Sequence, residues 1–245
     1  MTQPVLLNAA DHADVRVITA RGAEYGDNQW FATTFPLEMR SCAACYPLFF
    51  FKDTQSQQIY PVALFGFQHG ENLFLRAGWQ EQYLPLSVRR QPFLIGRQQV
   101  REDGMVREQR VLHIDLDHPR VRRGDSQNAG EPLFLPYGGQ TPFLQDMAGL
   151  LETLHLGMQD ANNFVALLEQ YQLLEPVTVN VTLKDSSSHQ LVGFLTIAEE
   201  QLAKLDGAAL AQLHQQGYLQ AIYLMIASQA QIRQLVALKN QQLGL

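Results

Sequence analysis

Hydrophobic periodicity changes near Thr141, and that change does most to restrict the folds open to this chain. Before it, apolar residues come in short runs and alternations of strand length; after it, they recur at helical spacing. Residues 14–18 alternate, and residues 46–51 form a short apolar run. A polar turn at 53–58 leads into a second run at 60–67, the pattern of a β-hairpin. Residues 83–88, 92–97 and 107–117 read as further strands. The segment 119–140, with Pro119, Gly124, Gly130, Pro132, Pro136, Gly138 and Gly139, reads as an irregular connection or a large functional loop.

Thr141-Pro142 then supplies a helix start, a capping hydroxyl followed by a proline suited to the first helical position. Leu144, Met147, Leu150, Leu151 and Leu154 share one helical face. A break is expected near Gly157, then a second helix over residues 161–174 closed by Pro176. Residues 177–183 and 191–197 suggest a hairpin joined through 185–189. A helix over 199–215, a strand over 219–227 and a final helix from Ser228 complete the reading. The expectation is an α+β protein: a β-rich N-terminal half, 1–140, followed by helices and a C-terminal hairpin-helix-strand-helix unit within 141–245. The two parts are expected to pack as one compact unit.

With 245 residues, 46% of them apolar and 17% charged, the chain can bury a full core. Only Lys52, Lys184, Lys204 and Lys239 are lysines, so much of the surface polarity must come from neutral amides. Residues 1–123 carry 14 basic and 13 acidic side chains, and residues 124–245 carry 4 and 11. The nine arginines of residues 89–123 are interleaved with five acids, and the chain as a whole stands at −6. Nucleic acid is therefore not an expected partner. No apolar run reaches the roughly 18 to 20 residues of a membrane span. The N-terminal residues lack the basic flank and apolar stretch of a secretory signal, so a cytoplasmic location is expected.

The residues that most distinguish this chain are Tyr46-Pro47, Ala63-Leu64-Phe65-Gly66-Phe67, Asn72-Leu73-Phe74, Gly78-Trp79, Tyr83-Leu84-Pro85 and Arg89-Arg90-Gln91-Pro92-Phe93. In this order they resemble the SapC-like family of bacterial proteins, whose members are about this long. Asp115, Leu133-Phe134, Gly138, Ile222-Tyr223 and Ser228 extend the likeness over most of the chain. One departure is Met225, where the family pattern implies a histidine. The resemblance implies an association with bacterial surface layers. It also implies an accessory role beside halogenase-like and cupin-like enzymes. No reaction follows from it.

Several groups are candidates for chemistry. On a strand, Arg89 and Arg90 would point to opposite faces, one of them free to clamp a carboxylate or phosphate. Trp79 and Tyr83 would supply a stacking wall, with Tyr46 beside them. His113, Asp115 and Asp117 would share a strand face, with His113 and Asp115 at the spacing of the His-x-Asp half of a two-His-one-carboxylate iron site. A third ligand would come from His189 or His214, and an arginine would hold 2-oxoglutarate. A half-exposed strand histidine with acids turned toward a loop is the plainer account. Cys42 and Cys45 lack the helix that would follow a redox C-x-x-C pair, and a zinc ribbon would need a second pair. Both are expected to be reduced. Ser186, Ser187, Ser188 and His189 read as a polar turn, not as a nucleophile and its base.

The sequence therefore points to a binding or accessory protein, not an enzyme, with no metal and no cofactor. Tyr46, Trp79, Tyr83, Arg89 and Arg90 are its expected site for a small anionic or aromatic ligand, or for a partner enzyme. The alternatives are an iron and 2-oxoglutarate oxygenase built on His113 and Asp115, and a surface-layer structural protein.

Overall fold

A computed structural model describes residues 4–77, 79, 82–102, 105–124 and 129–245. Strands concentrate in the first half and helices in the second, an α+β arrangement. The chain divides into two units, one of residues 1–26 and 86–155, the other of residues 27–85 and 156–245.

The first unit is organised by the antiparallel hairpin Phe93–Glu102 and Met105–Ile114, in register from Phe93↔Ile114 to Glu102↔Met105. Val5–Leu6 adds a third strand on the free edge of Met105–Ile114. A close approach shapes the middle of the hairpin: a Cβ on Gly96 would sit 2.1 Å from the His113 ring. A second small sheet places Arg16–Val17 between Val121–Arg122 and Glu131–Pro132. The 119–140 connection thus supplies two short strands and a buried core residue, Leu133. Val15, Val17, Phe93, Ile114, Leu133, Leu144, Met147 and Leu151 make this unit's hydrophobic core.

Thr141 starts the helix as expected. Its hydroxyl oxygen accepts from the Leu144 N–H at 3.3 Å and donates to the Pro132 carbonyl at 2.8 Å, with Pro142 in the first helical position. The expected break at Gly157 does not occur. Pro142–Gln170 is one helix of 29 residues, giving residues 142–155 to the first unit and 156–170 to the second. Gly157 is there for contact and not for a turn: a Cβ would lie 2.4 Å from the Phe35 ring. The helix stops at Gln170, and Gln172 takes a left-handed conformation (φ 57°). Pro176 lies in the strand Leu174–Thr182, an edge strand that tolerates proline.

The second unit is built on a five-stranded antiparallel sheet. Its order is Leu174–Thr182, Ser188–Ile197, Leu48–Lys52, Ile59–Leu64 and Phe31–Thr33. The central hairpin runs from Leu48↔Ala63 to Lys52↔Ile59. Its turn is closed by Asp53, whose Oδ1 accepts from the Ser56 N–H at 2.6 Å and the Gln55 N–H at 3.0 Å.

Helices Met39–Ala43, Glu199–Leu202, Gly207–Gln215, Tyr218–Ser228 and Ile232–Leu243 complete this unit. The strand expected over 219–227 is therefore a helix. Its buried residues Tyr218, Ala221, Ile222, Met225 and Ser228 recur at helical spacing. Ser228 ties it to the sheet, accepting from the Leu48 N–H at 2.9 Å and donating to the Met225 carbonyl at 2.6 Å. Among the described residues no helix is long and apolar enough to cross a membrane.

Candidate functional site

The five expected ligand-binding residues fall into two groups. Tyr46, Trp79 and Tyr83 belong to the second unit, and Arg89 and Arg90 to the first.

The aromatic group forms a closed hydrogen-bonded chain. Trp79 Nε1 donates to the Tyr46 hydroxyl at 2.7 Å, and that hydroxyl donates to the Tyr83 carbonyl at 2.6 Å. The Tyr83 hydroxyl donates to Glu38 Oε1 at 2.8 Å, and Thr34 Oγ1 donates to the other Glu38 oxygen at 2.9 Å. Edge-on rings of Phe65 and Phe74 surround Tyr46 at 5.0 Å, and Phe65 meets Trp79 at 5.1 Å. Tyr46 is 0% and Trp79 1% exposed. Burial pushes the Tyr46 phenol well above its ordinary range, so it remains a hydrogen-bond donor. The wall expected for a ligand is thus occupied: the indole N–H and the phenol hydroxyl of these two buried rings are already used within the protein. Cys42 packs beside this network, its thiol pushed up by burial and by the Glu38 carboxylate. Both cysteines are free thiols.

The arginine pair sits at a helix end and not on a strand. Leu86–Arg89 is a single helical turn, and Arg90 follows it, its N–H donating to the Leu86 carbonyl at 3.0 Å. The expected strand over 83–88 is absent because Pro85 and this turn occupy the segment. Arg90 Nη1 donates to the Phe93 carbonyl at 2.9 Å, while the Phe93 N–H donates to the Arg90 carbonyl at 2.7 Å. That reciprocal pair encloses the cis Gln91–Pro92 peptide. Burial draws the Arg90 pKa below its ordinary value. Arg90 holds the entry to the hairpin; Arg89, on the exposed side, lines a cavity.

This cavity, about 280 Å³ in volume, lies wholly within the first unit. Arg21, Arg89 and Arg120 line it with Gln91 and Asp146, above an apolar floor of Val17, Phe143 and Met147. Arg120 is fixed from behind. Its Nη1 donates to the carbonyls of Ile18 at 2.9 Å and Ala20 at 2.6 Å, and its guanidinium lies 5.5 Å from the Tyr25 ring centroid. Phe143, Asp146 and Met147 reach the cavity together because positions i, i+3 and i+4 share a helical face. Gln91 also lines the cavity, but its side-chain amide oxygen is buried, without a hydrogen-bond partner among the described residues. Sequence reasoning found Arg89 through the Arg-Arg-x-Pro-Phe pattern. It quoted Gln91 within that pattern without giving it a role, and it missed Arg21, Arg120 and Asp146, which come from separate segments with no common spacing.

A family model described as SapC matches residues 7–235. The chain belongs to the SapC family. No curated protein and no solved structure matched it. The match spans both the arginine cavity and the aromatic network of this SapC-family protein.

The alternative residues His113 and Asp115 do not share a strand face. The strand Met105–Ile114 ends between them, and Asp115 Oδ1 accepts from the Asp117 N–H at 3.1 Å in the following turn. The His113 ring packs over Gly96, leaving its Nδ1 buried without a partner among the described residues. Of the suggested third ligands, His189 stacks on Phe67 with centroids 5.8 Å apart, and His214 lies in the last turn of Gly207–Gln215. No group of three metal-ligating side chains occurs among the described residues. Asp185 accepts from the Ser187 N–H at 2.9 Å and from the Ser187 hydroxyl at 2.5 Å, which accounts for the serine run as a turn.

Proposed function

We propose that this SapC-family protein acts by binding a small anionic ligand in the Arg89 cavity, without catalytic chemistry of its own. The observation that carries this reading is one small cavity lined by the exposed Arg89 together with Arg21 and the buried Arg120, with Asp146 the one carboxylate among its described lining residues. Guanidinium groups recognise carboxylate or phosphate through paired, charge-assisted hydrogen bonds. The apolar floor strengthens such bonds by limiting water, and concave, partly apolar sites of about this size suit small molecules.

Thermal shift of the purified full chain against simple carboxylates and inorganic phosphate tests the reading. A ligand that binds only the native state at a hundred times its Kd adds about 2.7 kcal/mol of stability. The expected result is a rise in Tm with at least one anion, lost in Arg89→Ala. A full set of anions with no shift, or a shift that survives Arg89→Ala unchanged, contradicts it.

A further inference from the structure

The second unit carries a cavity of its own, about 330 Å³ in volume, lined by Asn28, Gln29, Trp30, Phe31, His69 and Gly70. Its walls are the segment 28–31 and the turn 68–71, and hydrogen bonds hold both in place. The Trp30 carbonyl accepts from the Phe65 N–H at 2.7 Å and the Gly66 N–H at 3.1 Å. Asn72 Nδ2 donates to the Asp27 carbonyl at 2.9 Å, and the Glu71 N–H closes the turn on the Gln68 carbonyl at 3.2 Å. Trp30 and Phe31 are half-buried, whereas Asn28 and His69 are exposed and have no hydrogen-bond partner among the described residues. The Trp30 indole N–H also lacks a described partner and, unlike Gln29 Nε2, is not buried. Trp79 differs, since its N–H is used on Tyr46. No described ring lies flat on Trp30: Phe51 and Phe194 stand edge-on at 80° and 81°, and Phe31 is tilted by 49°.

None of these six lining residues carries a fixed charge, so an anion finds no counter-ion among them. They offer instead an amide, an imidazole and an indole N–H, which donate to or accept from hydroxyl groups, beside aromatic faces of partial negative charge. A pyranose sugar matches both features. Its hydroxyls donate and accept, and its ring C–H groups, made slightly positive by the neighbouring oxygens, are attracted to an aromatic face. We infer that the cavity at Trp30 is a carbohydrate site that takes one neutral pyranose unit. The C–H face of the sugar lies on Trp30 and Phe31, and its hydroxyls pair with Asn28, His69 and the Trp30 indole N–H. The 49° between the Trp30 and Phe31 rings makes an open corner and not a flat slot, which fits a puckered sugar ring better than a planar base. This site is independent of the Arg89 cavity, and neither reading needs the other.

Saturation-transfer NMR titrations of the full chain test this with the methyl glycosides of glucose, galactose, mannose and N-acetylglucosamine, and with adenosine as the planar rival. The expected result is binding of at least one glycoside, with transfer strongest to the ring C–H protons of one sugar face. Trp30→Ala is expected to weaken that binding about tenfold or more. The paired substitution Asn28→Ala with His69→Ala is expected to weaken it about tenfold, the range of one or two hydrogen bonds, without lowering Tm. Where Trp30→Ala fails to fold, the paired substitution decides alone, because both of its positions are exposed. An absence of binding by all four glycosides overturns the inference. So does glycoside binding that the paired substitution leaves unchanged, or adenosine that binds more tightly than every glycoside and is lost in the same variants.

Discussion

The aromatic network of the second unit and the arginine cavity of the first are built from the residue types that usually mark a binding site, yet they use them in opposite ways. Around Tyr46 the indole N–H, two phenol hydroxyls and a glutamate are joined by hydrogen bonds of 2.6 to 2.9 Å. Around Arg89 the polar atoms line a cavity, and Gln91 Oε1 is buried without a described partner. The difference lies in the surroundings: around Tyr46 the polar groups are sealed among aromatic rings, whereas around Arg89 charged side chains border a cavity. A network sealed in this way holds the fold together, whereas charged groups beside a cavity are where the proposed binding can be tested.

Substitutions should separate the two regions cleanly. The largest effect is expected from Trp79→Ala, which empties a fully buried position. Such truncations cost about 3–5 kcal/mol, readable as a fall in the urea midpoint with little change in slope. Lys239→Met comes next. Lys239 Nζ lies 2.5 Å from Glu71 Oε1, both side chains below 10% exposed, and Glu71 Oε2 accepts from the Phe67 N–H. Removing the lysine leaves a buried carboxylate uncompensated, at a cost of about 3 kcal/mol or more, measured in the same denaturation series. Gly157→Ala follows, since its Cβ meets the Phe35 ring. An overpacking cost of about 1–3 kcal/mol should appear as a lower Tm.

Arg89→Ala belongs to the other class. Its effect on stability is expected within about 0.5 kcal/mol, while anion affinity falls about tenfold or more with the lost charge-assisted bonds. The smallest effect concerns pH. The Ser56 N–H and hydroxyl hold the exposed Asp53 carboxyl below its ordinary value of 3.8. A carboxyl lowered on folding adds stability that is present above 3.8 and is lost as pH falls through its folded value. The Tm difference between wild type and Asp53→Ala should therefore be constant at neutral pH and close below 3.8.

Where each element followed one periodicity with clear punctuation, the sequence was legible. The hairpin around Asp53, the capped helix start at Thr141 and the α+β class fall in that group, as does the family, through the ordered motifs of residues 46–93. The helix Tyr218–Ser228 was hidden because its exposed side also carries apolar residues, Tyr223 among them, so a continuous run masked the helical spacing of its buried ones. Gly157 looked like a stop because the ring of Phe35 that requires a glycine there comes from a distant segment. For the same reason, only Arg89 of the cavity was visible beforehand. Gln91 lay in the same motif but carried no sign of a role, and Arg21, Arg120 and Asp146 are assembled by the fold, with no local pattern to join them.

The most direct test of the account is one thermal-shift experiment on three proteins, wild type, Trp79→Phe and Arg89→Ala, each with and without saturating carboxylate or inorganic phosphate. The account predicts that Trp79→Phe melts lower but keeps the ligand-induced rise, whereas Arg89→Ala melts like the wild type and loses it. A rise that disappears in Trp79→Phe and persists in Arg89→Ala would contradict the account and return the binding site to the aromatic network.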